Sequence, residues 1–264
     1  MLCASPCIVH TATLCHRNTY HAKEHVPLAL ARTLADLGLA YVDLYLVHFP
    51  IALRFVPFEE RYPPEWVFDP ALPGGGKMEY SGVPMEETWR AMVALKAAGG
   101  VREVGVCNVT TSGLRDMLSY PDCEAPAVNQ VERHLYLQQP QLRRMCEESG
   151  VAVVGFSPLG SGSYVQLGMA TDADSPLLEP AVAAAAAAHG VTPGQVLLRW
   201  GVQTGCGVIP KSSHPGRLAE NLDLFGFELS AEEMAALAAL DKRRRFNDPG
   251  VFTQLMNSFC PIFD

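Results

Sequence analysis

The sequence predicts an α/β protein built from βα units on a parallel sheet. Three observations carry this reading. Short β-rich runs alternate with longer stretches of helical period, the pattern of strand–helix repeats. Every candidate strand ends in a polar residue where the chain leaves the sheet, namely His48, Asn108, Gln130, Ser157 and Lys211. Finally, 264 residues that are 48% apolar and 18% charged suffice for one domain with a sizeable core. The 22 glycines and 20 prolines make it rich in turns without low-complexity character.

The elements follow in order. Residues 23–39 have helical period and lead into the strand YVDLYLVH at 41–48. A helix at 85–98 ends on Gly100, and the strand VREVGVCN follows at 101–108. The next pairs are a helix at 111–119 with the strand APAVNQVE at 125–132, and a helix at 138–150, closed by Gly150, with the strand VAVVGFS at 151–157. Residues 177–190 hold an alanine run, the strongest helix former, and end on Gly190. After a helix at 192–203 comes the strand CGVIPK at 206–211, then helices at 217–221 and at 231–240, the last begun by Ser230 before AEEM.

Composition excludes several functions. A formal charge of −8, with basic residues concentrated only at Lys242–Arg245, argues against a nucleic-acid partner. No apolar run is long enough to span a bilayer, and the N-terminus lacks a secretory pattern. Cysteines at 3, 7, 15, 107, 123, 146, 206 and 260 are too sparse for a disulfide scaffold and imply reduced thiols in a cytoplasmic protein. Cys3, Cys7, His10, Cys15, His16, His21 and His25 fit no metal-ligand spacing, so no metal is expected.

In a βα barrel the polar strand ends converge on one mouth, with phosphate sites often on the loops after the last strands. Here those loops are SPLGSGS at 157–163 and IPKSSHPGR at 209–217. The first offers backbone N–H groups to a pyrophosphate, and the second gathers Lys211, Ser212, Ser213 and Arg217 at a helix start, suiting a phosphate monoester. Read singly, His48 is more often a core histidine, and Asn108 and Gln130 are equally strand-end hydrogen bonders, whereas the place of Lys211 and Arg217 after IP and before a helix favours phosphate over a solvated face.

LADLGLAYVDLYLVHFP (34–50), GVCN (105–108), PAVNQVE (126–132), GFSPLGS (155–161) and IPKSSHPGRLAEN (209–221) resemble the aldo-keto reductases. PIALRFVPFEERYPP (50–64), YLQQPQL (136–142), VLLRW (196–200) and RFNDP (245–249) narrow the resemblance to the xylose-reductase-like branch over residues 18–264. It implies a (β/α)8 TIM barrel and NADPH, with NADH possible, reducing an aldehyde or sugar. In that frame His48 orients the substrate carbonyl. Asn108 and Gln130 hold the nicotinamide carboxamide and Phe156 stacks on its ring. Ser157, Leu159 and Ser161 match the pyrophosphate loop. Lys211, Ser212, Ser213 and Arg217 surround the 2′-phosphate, Glu220 and Asn221 lie near the adenine, and Phe49 and Asn247 line the substrate pocket.

The resemblance also implies an aspartate, a tyrosine and a lysine beside the histidine, and these have no counterpart here. Cys15 stands at the lysine position, within LCHR at 14–17. Residues 1–17 therefore read as an unrelated N-terminal segment, and the barrel as N-terminally incomplete, lacking its first two strands and the catalytic part of the third. Residues 7–14 (CIVHTATL) are β-prone enough to stand in for that third strand. On this reading the reductase activity is impaired; the alternatives are a non-catalytic NADPH-binding module or an inactive gene fragment.

Overall fold

The computed structural model describes residues 13–73 and 75–263. Cys3, Cys7, His10 and residues 7–12 of the stand-in strand lie outside the described residues. Six strands form one sheet in strictly sequential order: β1 (Thr13–His16), β2 (Val42–Val47), β3 (Val101–Cys107), β4 (Val128–Glu132), β5 (Ala152–Phe156) and β6 (Gly207–Ile209). All five pairings are parallel. A doubly wound sheet reverses its strand order, whereas sequential order is that of a (β/α) barrel. Five strands coincide with the expected runs to within a few residues. The sixth, β1, overlaps the β-prone stretch at 7–14 by two residues and pairs Cys15 with Leu46.

The helices are α1 (His25–Leu37), α2 (Met85–Ala97), α3 (Thr111–Met117), α4 (Pro140–Glu148), α5 (Gly162–Val165), α6 (Pro180–His189), α7 (Pro193–Gln203), α8 (Pro215–Leu222), α9 (Ala231–Ala238) and α10 (Pro249–Phe252). Their ends have local causes. Thr192 and Ser230 each form a capping box with the residue at N3, and Gly38 and Gly190 close α1 and α6 in the left-handed conformation. The helical pattern expected from 177 starts instead at Pro180, because Pro176–Leu178 forms a separate 3-10 turn. Among the described residues no single helix is long and apolar enough to cross a membrane.

One core lies between the sheet and α1–α4, where Val104 and Val106 of β3 meet Trp89 and Met92 of α2. Between those valines Gly105 faces the other side of the sheet. A Cβ there would sit 2.6 Å from the Val128 carbonyl oxygen and 2.7 Å from a Leu46 methyl, so the close approach of three strands requires glycine. A second core packs α6, α7 and α9 around Trp200 and Phe246. A third and smaller one, Phe49, Ile51, Leu53, Met78 and Cys260, closes the loop that follows β2.

Candidate active site

The parallel register places the interior residues in rows. Cys107 pairs with Gln130 and Gln130 with Val154; Glu132 pairs with Phe156 and Phe156 with Ile209. Adjacent residues in register share a face. Gln130 and Phe156 therefore lie on one side of the sheet at its carboxyl edge, and both are half-buried.

His48 follows β2. Its backbone N–H donates to the His16 carbonyl at 3.1 Å, and its carbonyl accepts from the Asn108 side-chain amide at 2.8 Å. The backbone is thus held from both neighbouring strands. Burial, aided by the positive charge of Arg17, lowers the imidazole's pKa to about 4. At neutral pH the ring is uncharged, a hydrogen-bond donor through one nitrogen rather than an acid. Phe49 packs edge-on against it, with ring centroids 4.8 Å apart.

Asn108 and Ser157 end their strands with φ of 60° and 51°, in the left-handed region that non-glycine residues seldom adopt. Such strain concentrates at functional sites. At Asn108 it turns the side chain back across β2, leaving its Oδ1 buried without a partner. At Ser157 it turns the hydroxyl toward the Tyr164 phenol, 2.8 Å away. Ser161 is buried with an unpartnered Oγ, and Leu159 packs its side chain onto the second core.

A cavity of about 330 Å³ brings together residues from distant segments: His48 and Phe49 after β2, Trp66 in the following loop, Tyr164 and Met169 near α5, and Asn247 and Phe252 near the C-terminus. The expected residues His48, Phe49 and Asn247 all line it. Trp66, Tyr164, Leu167, Met169, Phe252, Leu255 and Met256 line it as well and were not foreseen as site residues. None of these carried a signal of its own in the sequence: Trp66 lies in an irregular loop, and the others lie in or beside one-turn helices too short to show a period.

Glu132, also not foreseen, organises this wall. Its fully buried carboxylate accepts from the backbone N–H groups of Phe246 and Asn247, each at 2.8 Å, and lies 2.9 Å from the His134 ring. Asn247 in turn donates to the Tyr164 hydroxyl at 3.4 Å. The chain Ser157–Tyr164–Asn247–Glu132 thus links the ends of β5 and β4.

Lys211, Ser212 and Ser213 follow β6, and Arg217, Glu220 and Asn221 lie on α8. Lys211, Ser213, Arg217 and Glu220 are exposed, on the far edge of the sheet from β1. They form a group of their own, separate from the residues that line the His48 cavity.

Parallel strands in sequential order, with His48 and Asn108 following their carboxyl ends, a cavity beside His48 and a basic loop beyond the last strand, define a site of the (β/α)-barrel type. The Aldo/keto reductase family model matches residues 9–242. The chain is 42% identical over 245 residues to a probable NAD(P)H-dependent D-xylose reductase of Aspergillus clavatus, covering 92% of this chain and 72% of that one. It is 44% identical over 234 residues to the NAD(P)H-dependent D-xylose reductase of Scheffersomyces stipitis, covering 88% and 72%. A Bombyx mori aldo-keto reductase solved in complex with NADP superposes with a TM-score of 0.74 at 32% identity, over 89% of this chain and 69% of that one. This chain belongs to the aldo/keto reductase family.

Proposed function

We propose that this protein reduces aldehydes, aldoses such as xylose among them, to alcohols with NADPH, and that NADH can substitute. The observation that supports this most directly is the single cavity shared by His48, Phe49 and Asn247 in a chain 41–44% identical to D-xylose reductases. The residues present suit the cofactor. Asn108 Oδ1 and Ser161 Oγ are buried polar atoms without protein partners, as expected of groups meant for a polar ligand. Asn108 and Gln130 would hold the carboxamide, Phe156 the ring, and Ser157, Leu159 and Ser161 the pyrophosphate, with Leu159 contributing backbone. Lys211, Ser212, Ser213 and Arg217 would take the 2′-phosphate, and Glu220 and Asn221 the adenine side. When bound, NADPH supplies the hydride.

The chain's own part is positioning. Neutral His48 donates its N–H to the carbonyl oxygen, fixing the carbonyl and stabilising the charge that develops on that oxygen. Phe49 and Trp66 exclude water from the same space, and Asn247 offers its unpartnered amide oxygen to a substrate hydroxyl. An alkoxide must then be protonated. Cys15 stands where the family has its lysine and brings no positive charge to lower a neighbouring acid's pKa, so slow turnover is part of this reading. Residues 18–264 carry the cofactor and substrate residues, and β1 completes the sheet beside β2.

The test is NADPH fluorescence with the purified chain, followed after adding xylose and then a short reactive aldehyde. Binding followed by aldehyde-dependent loss of signal supports reduction. Binding without consumption points to a nucleotide-binding module, and no binding by folded protein overturns the reading.

A further inference from the structure

We propose that a cavity of about 750 Å³ on the flank of the barrel mouth, where α3 and α4 begin, is a second ligand site, for a phosphorylated small molecule of sugar-phosphate size or larger. The basic stretch Lys242–Arg245, the only concentrated one in the sequence, does not line the His48 cavity, and only Arg245 approaches its wall, at Glu132. Its four residues divide in the fold. Lys242 is engaged, its Nζ 3.0 Å from Glu179 and 3.6 Å from the centre of the Tyr136 ring. The three arginines that follow all line the cavity.

The backbone is built to present them. Arg243 has φ of 52°, in the left-handed region, and its N–H donates to Asp241 Oδ1 at 3.0 Å. The N–H of Arg244 donates to the Tyr136 carbonyl at 2.8 Å. A non-glycine residue held there by two pinned neighbours is strained, and strain of this kind collects where a ligand is met.

Charge in the cavity is unbalanced. Among the described residues neither Arg243 nor Arg244 forms an ion pair within 4 Å, and Arg245 reaches Glu132 only at 3.9 Å while stacking on Phe263 at 3.5 Å. Of the two acids in the lining, Asp241 accepts from the Arg243 N–H and Asp248 from the Gly250 N–H at 2.8 Å; Asp248 also acts on Arg245, so the unmatched charge is that of Arg243 and Arg244. Guanidinium groups are the side chains best suited to phosphate, which they grip through paired N–H donors. The volume lies in the range of small-molecule sites and far exceeds a bare phosphate. Thr111 and Gln141 supply hydroxyl and amide groups for a sugar, and Phe246 an apolar wall. Met169 lines both this cavity and the one holding His48, so the two share a wall.

The experiment is calorimetric titration of the full chain with ribose 5-phosphate and, separately, ribose. It is repeated on an Arg243→Ala/Arg244→Ala variant and on a Lys211→Ala/Arg217→Ala variant, each with its melting temperature checked against the parent. Both arginines are exposed and pinned by backbone, so the first variant should fold. The expected result is binding of ribose 5-phosphate but not ribose, weakened at least tenfold by Arg243→Ala/Arg244→Ala and retained by Lys211→Ala/Arg217→Ala. Two results would overturn the proposal: no binding by the parent chain at millimolar ligand, or binding abolished only by Lys211→Ala/Arg217→Ala. The second places the phosphate in the cofactor loop, so this site and the reductase reading fail separately.

Discussion

At the scale of single residues, His48 and Glu132 illustrate two ways a buried polar group is tolerated. Burial keeps the His48 ring neutral, which on the proposed reading leaves one N–H for a substrate oxygen. His48→Ala should leave NADPH affinity within twofold and lower kcat/KM for a short aldehyde about 100-fold, the usual scale for losing one donor to a developing oxyanion. Steady-state kinetics beside a fluorescence titration checks it, and an unchanged kcat/KM would remove His48 from the reaction. Glu132 is fully buried but satisfied, its carboxyl oxygens accepting from two backbone N–H groups and lying 2.9 Å from the His134 ring. Glu132→Ala strands those donors, so a loss of about 3 kcal/mol in urea unfolding is expected. With Asn247 released from its anchor, the KM for aldose should rise more than kcat falls. The two residues were not equally legible in the sequence. His48 closes an apolar strand and announces itself, whereas Glu132 looks like any charged strand end until the chain around residue 246 folds back onto it.

At the scale of elements, the strands were legible because each is a short apolar run bounded by turn residues. The longer helices were legible because caps and glycines mark their ends. The four-residue helices α5 and α10 were not, since four residues make barely one turn and show no period. They nonetheless carry or flank Tyr164, Met169 and Phe252, which explains why the wall of the His48 cavity was only half foreseen. β3 shows how tightly the legible part is set. Gly105 lies between Leu46 of β2 and Val128 of β4, and the nearest obstacle to a side chain is a backbone oxygen, which cannot rotate away. Gly105→Ala should therefore cost roughly 2 kcal/mol by overpacking, seen as a lower urea midpoint at unchanged m-value. If stability is unchanged, the strands are farther apart than the register implies.

At the scale of the whole molecule, the buried His16 and His21 and the half-buried His48 tie stability to pH. His16 closes β1 on the edge of the sheet, its ring 2.8 Å from the Tyr20 carbonyl, and burial, with the neighbouring His21 adding, lowers its pKa to about 3. Burial likewise lowers His21 and His48 to about 4. An unfolded histidine titrates near 6.5. Above that value neither state takes up protons at these rings, and stability is independent of them. As pH falls through 6.5 toward 4 the unfolded chain binds protons the folded chain refuses, so the folded state loses ground over that window. Only the upper part of this window, above about pH 5, is clear of the usual carboxylate range, so the comparison is made there. Each ring contributes a slope of up to about 1.4 kcal/mol per pH unit, so going from pH 7.5 to 5.5 should remove roughly 3 to 4 kcal/mol in all. For a domain of this size that corresponds to a melting temperature lower by about 10 °C. Calorimetry at the two pH values measures it directly. A constant melting temperature would mean that all three rings titrate as they do in the unfolded chain, and that the wall joining β1, β2 and the His48 cavity is looser than these contacts describe.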